Sequence, residues 1–222
     1  NPIYADALYL VRIHLPHKPT FTALCYPGFL PGNALGFNEF GLCHTVNNVS
    51  PTNIQTGKGR HFIARSIFEA QTVAEAIAKV TVSGRAAGFN YTIASTSERR
   101  IVDVEVGPSQ HHQREIHGRY FHANHYQELK IPQEIGASSA ARISRCQPLL
   151  NDELQTAADV LAVLQDQENE ALPIFRNAGH TDPLATLATA VFDLDAQTFT
   201  LHAGAMAKTP KPLLVLALSD KL

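Results

Sequence analysis

The order in which local patterns follow one another constrains this chain more than any single motif. β-forming runs come first, at 7–13, 21–26 and 42–47, broken by the turn-rich Pro27-Gly28-Phe29-Leu30-Pro31-Gly32. The period then changes. Phe62, Ile63, Ser66, Ile67 and Ala70 fall at helical spacing, as do Val73, Ala76, Ile77 and Val80, with Thr72 and Glu75 as a capping-box pair before the second run. Strand character returns at 89–95 and 101–106, joined by the polar turn 96–100 as a hairpin, and 118–124 reads as a further short strand. Helices follow at 138–150 and 156–165. The last strands are 187–194, 198–202 and 212–218, the first two joined by Asp195-Ala196-Gln197 as a hairpin. Strands in meanders and helices in pairs do not alternate one by one, which argues against a doubly wound parallel sheet. The expectation is an α+β sandwich of antiparallel sheets with helices on the outer faces. No repeat and no linker interrupts it, so residues 1–222 read as a single domain.

Composition narrows the partners. Eighteen Lys and Arg stand against twenty Asp and Glu, a formal charge of −2, so nothing electrostatic recommends nucleic acid or an anionic membrane. No apolar run approaches the roughly 20 residues of a membrane span. Cys25, Cys43 and Cys146 are odd in number and widely spaced, which builds neither a disulfide framework nor a Cys-x-x-Cys pair. Reduced, buried thiols in a cytoplasmic protein are the expectation. The single methionine is Met206, and the chain opens at Asn1-Pro2 rather than at a translation start.

Histidines cluster at His111, His112, His117, His122 and His125. If 118–124 is extended, His122 and His125 point to opposite faces, and no carboxylate pair is evident at metal spacing, so no metal site is expected. His111 and His112 read as a polar loop. Asn38, Asn47, Asn48, Asn90 and Asn124 lie at or near strand ends, where asparagine serves turns. A rigidly held asparagine N–H can also stabilise the oxyanion of a tetrahedral intermediate, and the bulky neighbours of Asn124 favour it for that role. Arg65 falls at the edge of the helical stripe, and Arg142 and Arg145 follow Ser138-Ser139. Cys43 and His44 are adjacent, which on a strand turns them to opposite faces and makes a poor catalytic dyad. Oxyanion and positioning groups are therefore present, but no convincing attacking group.

Leu30-Pro31-Gly32, Gly36-Phe37-Asn38-Glu39-Phe40-Gly41-Leu42, Asn47, Arg65 with Phe68-Glu69-Ala70, Ala87-Gly88-Phe89-Asn90-Tyr91, Val104-Glu105 and His122-Ala123-Asn124-His125-Tyr126 occur in that order. The set resembles the peptidase C45, acyl-coenzyme A:6-aminopenicillanic acid acyltransferase group, which includes the β-alanyl-amine hydrolases. The resemblance implies an N-terminal-nucleophile hydrolase with a four-layer αββα fold. An amide hydrolase or acyltransferase of that kind cuts itself before a cysteine, whose thiol attacks and whose α-amine is the base. It needs no cofactor. By the same resemblance Asn124 is the principal oxyanion donor and Asn47 the second, with Asn48 as the alternative register. Arg142 resembles the arginine that orients the nucleophile in the choloylglycine branch. Arg65, Asn90 and Tyr91 are assigned to substrate binding, with a structural role for Arg65 equally open.

The family's nucleophile has no counterpart here: Asn1 is neither Cys, Ser nor Thr, and Cys25 and Cys43 match strand positions. The expectation is therefore that the attacking cysteine lies upstream of residue 1 and that residues 1–222 alone are inactive. The expected partners are a small acylated amine or acyl thioester, the cleaved N-terminal segment as a separate chain, and a second copy in a homo-oligomer. A non-catalytic, ligand-binding relative of the same fold is the alternative.

Overall fold

Among the described residues twelve strands and four α-helices follow one another, largely in the order expected from the sequence. The structure, a computed structural model, describes residues 4, 6–177, 184–204 and 212–219. Strands β1 (Tyr9–Ile13), β2 (Phe21–Cys25), β3 (Leu35–Asn38), β4 (Leu42–Asn48), β6 (Phe89–Ser95), β7 (Arg100–Val106) and β8 (His111–Glu115) form one antiparallel sheet in the order β1-β2-β3-β4-β6-β7-β8. Strands β10 (Ala188–Asp193), β11 (Thr198–Ala203) and β12 (Pro212–Ala217) form a second, three-stranded antiparallel sheet. The short strands β5 (Ser50–Pro51) and β9 (Gln133–Glu134) pair with each other. Helices α1 (Arg60–Ser66), α2 (Val73–Val80), α3 (Ala137–Leu149) and α4 (Ala157–Leu164) complete the described residues, with a 3-10 turn, Ile67–Glu69, continuing α1. Among the described residues no helix is long and apolar enough to cross a membrane.

Period-two alternation sorts the large sheet into two faces. Leu42, Phe89, Tyr91, Ile93, Val102, Val104 and Val106 pack under Ile63, Ile67, Val73, Ala76 and Val80 of the helical segment. The intervening Cys43 and Ala94, with Leu24 and Phe37, pack against Phe199, Leu201 and Leu218 of the second sheet. Helix, sheet and sheet are thus stacked by apolar burial, and α4 packs against β10. The antiparallel α+β sandwich expected from element order is the architecture found.

Three local readings are corrected. Residues 35–38 form β3, a strand the sequence analysis does not assign. Gly36 is required there because a Cβ would come within 2.4 Å of the Thr22 carbonyl oxygen and 2.6 Å of Phe68. Residues 111–115 are an edge strand rather than a loop; solvent on their outer side erases the apolar alternation. Residues 118–124, read as a strand, are irregular: at the end of the segment the Asn124 N–H donates to Ser139 Oγ, and just beyond it the N–H groups of Tyr126 and Glu128 also go to side chains instead of a ladder. Asn38, the expected turn residue, has a larger task. Its Nδ2 donates to the carbonyls of Phe68 and Ala70, and its Oδ1 accepts from the N–H groups of Phe40 and Leu42, tying the β3–β4 turn to the 3-10 segment. Thr72 caps α2 by accepting from Glu75 N–H, while Glu75 Oε2 accepts from Gln71 N–H, one residue outside the expected box.

His44 carries a pH dependence. Its ring is buried against Phe68 (4.8 Å between centroids), Nε2 donates to the Gly32 carbonyl at 3.2 Å, and Nδ1 has no partner. Burial lowers its pKa from 6.5 to about 4, against a small upward pull from the Gly32 carbonyl. The folded state therefore holds the neutral ring, while the unfolded chain takes up a proton below about 6.5. Stability is complete above pH 6.5 and falls as pH drops toward 4. Urea unfolding at pH 7 and pH 5 should differ by about 2 kcal/mol more in the native protein than in His44→Leu. Equal pH sensitivity of the two would show that His44 does not titrate this way.

Candidate active site

A polar row interrupts the face of the large sheet that carries Cys43 and Ala94. Across the β4–β6 ladder Asn47 stands opposite Asn90, and across β6–β7 Asn90 stands opposite Glu105. Asp103, two residues from Glu105, shares that face. In Val102-Asp103-Val104-Glu105-Val106 the valines turn to the helices and the acids to the other side. Asn90, Asp103 and Glu105 are almost fully buried. Asn90 Nδ2 donates to Asp103 Oδ1 at 2.8 Å and to Asn47 Oδ1 at 3.3 Å; the Tyr120 hydroxyl donates to Asp103 Oδ2 at 3.1 Å.

The connection after β8 is built on Glu105. Its carboxylate accepts from the consecutive backbone N–H groups of Gln127, Glu128 and Leu129 and lies 2.9 Å from His122 Nε2. Burial alone pushes the Glu105 carboxyl up, but His122 and the Gln127 and Leu129 N–H groups outweigh it and hold the carboxyl below its usual range. Burial dominates for Asp103 and raises it, while His122, Asn90 and Tyr120 draw it partly back.

The loop fixed in this way carries Asn124 to the end of β4. Asn124 Nδ2 donates to the Asn48 carbonyl at 2.9 Å, and Asn124 Oδ1 accepts from Arg142 Nη2 at 2.7 Å. A guanidinium can only donate and a carbonyl can only accept, so these two contacts allow one orientation of the amide. Arg142 itself projects from α3, its Nε donating to the Ser138 carbonyl at 3.2 Å. Burial, then the charge of Arg176, lowers its pKa from an ordinary guanidinium value. Ser139, buried at the start of α3, places its Oγ 2.7 Å from both the Asn124 backbone N and His125 Nδ1.

Asn47, Asn90, Asn124 and Arg142 are thus brought to one end of the large sheet by β4, β6, a side-chain-held loop and α3. Arg65 and Tyr91 lie on the other face. Tyr91 is buried on the opposite, helix-covered face, where burial pushes its hydroxyl up in pKa. The Arg65 guanidinium lies over the Phe21 ring at 4.1 Å, with Glu69 at 4.0 Å, a packing position. Their placement gives the substrate-binding assignment no support. Sequence reading missed Asp103, Tyr120 and Ser139. The strict alternation of acid and valine in β7 was the available signal, since two carboxylates two residues apart share a strand face.

The sequence expectation that no carboxylate pair accompanies His122 is corrected by the same alternation: Asp103, Glu105 and His122 present ligand-type atoms within 4.8 Å of one another. Both carboxylates already accept from Asn90, Tyr120 and three backbone N–H groups, so the cluster works as a hydrogen-bond network. The three cysteines are all buried and free. Burial pushes the Cys43 thiol up to about 12 and raises Cys25 and Cys146 as well.

A family model described as Acyl-coenzyme A:6-aminopenicillanic acid acyl-transferase matches residues 2–208. The beta-alanyl-dopamine/carcinine hydrolase of Drosophila melanogaster is 27% identical over 205 residues, covering 85% of this chain and 53% of that protein. The chain therefore spans about half the length of that relative. A variant of the conjugated bile acid hydrolase of Clostridium perfringens superposes with a TM-score of 0.59 at 11% identity, over 96% of this chain and 84% of that one. Penicillin V acylase from Agrobacterium tumefaciens superposes with a TM-score of 0.53 at 13% identity, over 91% and 71% respectively. At such identities these two structures speak for the fold alone, the N-terminal-nucleophile hydrolase sandwich. Sequence match along almost the whole chain, joined to that fold, means that the chain belongs to the acyl-coenzyme A:6-aminopenicillanic acid acyl-transferase family.

Proposed function

We propose that this chain supplies the fold and the oxyanion site of a cytoplasmic enzyme that cleaves or exchanges amide C–N bonds through a thioester acyl-enzyme. The observation that carries the reading is the Asn124 amide, held at Oδ1 by Arg142 and at one Nδ2 hydrogen by the Asn48 carbonyl. The second Nδ2 hydrogen remains to donate to a developing oxyanion, and Asn47 supplies a second donor. A donor fixed before reaction stabilises the transition state without reorganising, which is the usual source of a large catalytic term.

The nucleophile in this reading is the thiol of an N-terminal cysteine preceding residue 1. Its α-amine takes the thiol proton as sulfur bonds to the carbonyl carbon and the C=O pair moves to oxygen. Collapse of the tetrahedral species breaks the C–N bond, and the departing amine takes the proton. Water or an acceptor amine then adds to the thioester and releases the thiol. Support comes from the cysteines within the chain: burial disfavours the thiolate at all three, and none has the activated environment that attack requires. Small N-acyl amines and acyl thioesters are the substrate class. Beta-alanyl-dopamine and carcinine are the first compounds to assay, because the Drosophila relative is named for them.

Two measurements test this. In the full-length protein, iodoacetamide at neutral pH should abolish turnover while leaving Cys25, Cys43 and Cys146 unmodified by peptide mass. Residues 1–222 alone should show no turnover of the same amides. Inactivation that tracks modification of Cys43, or turnover by residues 1–222, would sink the proposal; ligand binding without turnover in the full-length protein would make it a non-catalytic relative.

A further inference from the structure

One amide nitrogen sits at the centre of the polar row. Asn90 Nδ2 gives one hydrogen to Asp103 Oδ1 at 2.8 Å and the other to Asn47 Oδ1 at 3.3 Å. Asn90 is fully buried and Asp103 is 1% exposed, so neither can exchange these partners for water. A carboxylate only accepts, so Asp103 dictates that Asn90 presents its NH2 end and not its carbonyl. Asn47 must then turn its own carbonyl toward Asn90, which leaves its NH2 for another acceptor, and Asn47 is half-buried beside Asn48, the strand end that Asn124 reaches. Asn90 Oδ1 is buried without a partner, a cost the fold accepts because the NH2 end is committed. The Tyr120 hydroxyl donates to Asp103 Oδ2 at 3.1 Å, a second tie on the carboxylate.

We infer that Asp103 is a positioning residue for amide cleavage, fixing the Asn47 amide through Asn90 with its N–H turned to the reacting carbonyl. The inference rests on the reading of Asn47 as the second oxyanion donor. Asp103 touches no substrate; it acts by removing the alternative orientation of two amides in series. An asparagine at its place offers either end of an amide, and the constraint disappears.

The test is a double-mutant cycle in the full-length protein, with kcat and KM measured on an N-acyl amine that it turns over. Asp103→Asn is expected to lower kcat by about 10- to 100-fold with KM within about twofold, and Asn47→Ala by about 100-fold. In the Asn47→Ala background, Asp103→Asn should lower kcat by no more than about twofold further, because its route to the carbonyl is already gone. A merely structural role multiplies the two losses instead, and that result overturns the inference while leaving Asn47 a donor. Undiminished kcat in Asn47→Ala overturns the donor reading and the inference together. Should circular dichroism show Asp103→Asn unfolded, Asn90→Ala enters the same cycle, with the same deciding outcomes.

Discussion

On the proposed function, replacing Asn124 with alanine should reduce kcat of the full-length protein by about 10²–10³-fold, with little change in melting temperature. The size follows from what is lost. The amide is held by Arg142 at 2.7 Å and the Asn48 carbonyl at 2.9 Å, so in the proposed reaction its second N–H needs no reorganisation when charge develops on the carbonyl oxygen. Stability changes little because the side chain is only half-buried. Asn124→Asp makes the sharper comparison. A carboxylate still meets Arg142 and preserves the loop, but it has no hydrogen to donate. Both variants should lose kcat to a similar degree, while in Asn124→Asp the charged pair with Arg142 offsets the loss of the bond to the Asn48 carbonyl and keeps the melting temperature close to that of the native protein. Equal activity in either variant would remove Asn124 from the site.

The largest stability effect is expected at Glu105. Glu105→Gln should destabilise by about 3–5 kcal/mol, read as a lower urea midpoint with an unchanged slope. The native carboxylate accepts from three successive backbone N–H groups and from His122 in a site with no water access. A carboxamide of the same shape turns one NH2 toward those donors, which leaves buried N–H groups without acceptors. The loop 122–129 then loses its anchor, so activity should fall with stability, unlike in Asn124→Ala. A variant as stable as the native protein would show that the connection is held by other contacts, such as the Tyr126 N–H to Gln133 Oε1 bond.

How far each feature could be read in the sequence depended on the range of the interactions behind it. The β6–β7 hairpin and α2 follow from spacing and capping within a few residues, and both lie where the pattern placed them. β8 and β3 were missed because one is an edge whose outer side is wet and the other is four residues long, with a glycine that matters only through its approach to Phe68. The strand read at 118–124 failed for the opposite reason. Its bulky residues suit a ladder, yet the Asn124 N–H at its end goes to Ser139, a partner distant in sequence, and the chain just beyond is held by Glu105.

The same division runs through the site. The sequence by itself determined the antiparallel α+β sandwich, since alternation and helical period are local and their grouping leaves few ways to bury both. It also named the candidates Asn47 and Asn124, through the ordered motifs of the family, and Arg142, through its resemblance to an arginine of the choloylglycine branch. Only the tertiary structure decided that Arg142 holds the Asn124 carbonyl, that Asn90 is a link under Asn47, and that Arg65 and Tyr91 belong to the helix-covered side. The orientation of an amide is set by whichever donor or acceptor lies opposite it in space, and residues such as Asp103 and Asn90, or Arg142 and Asn124, meet only once the chain is folded.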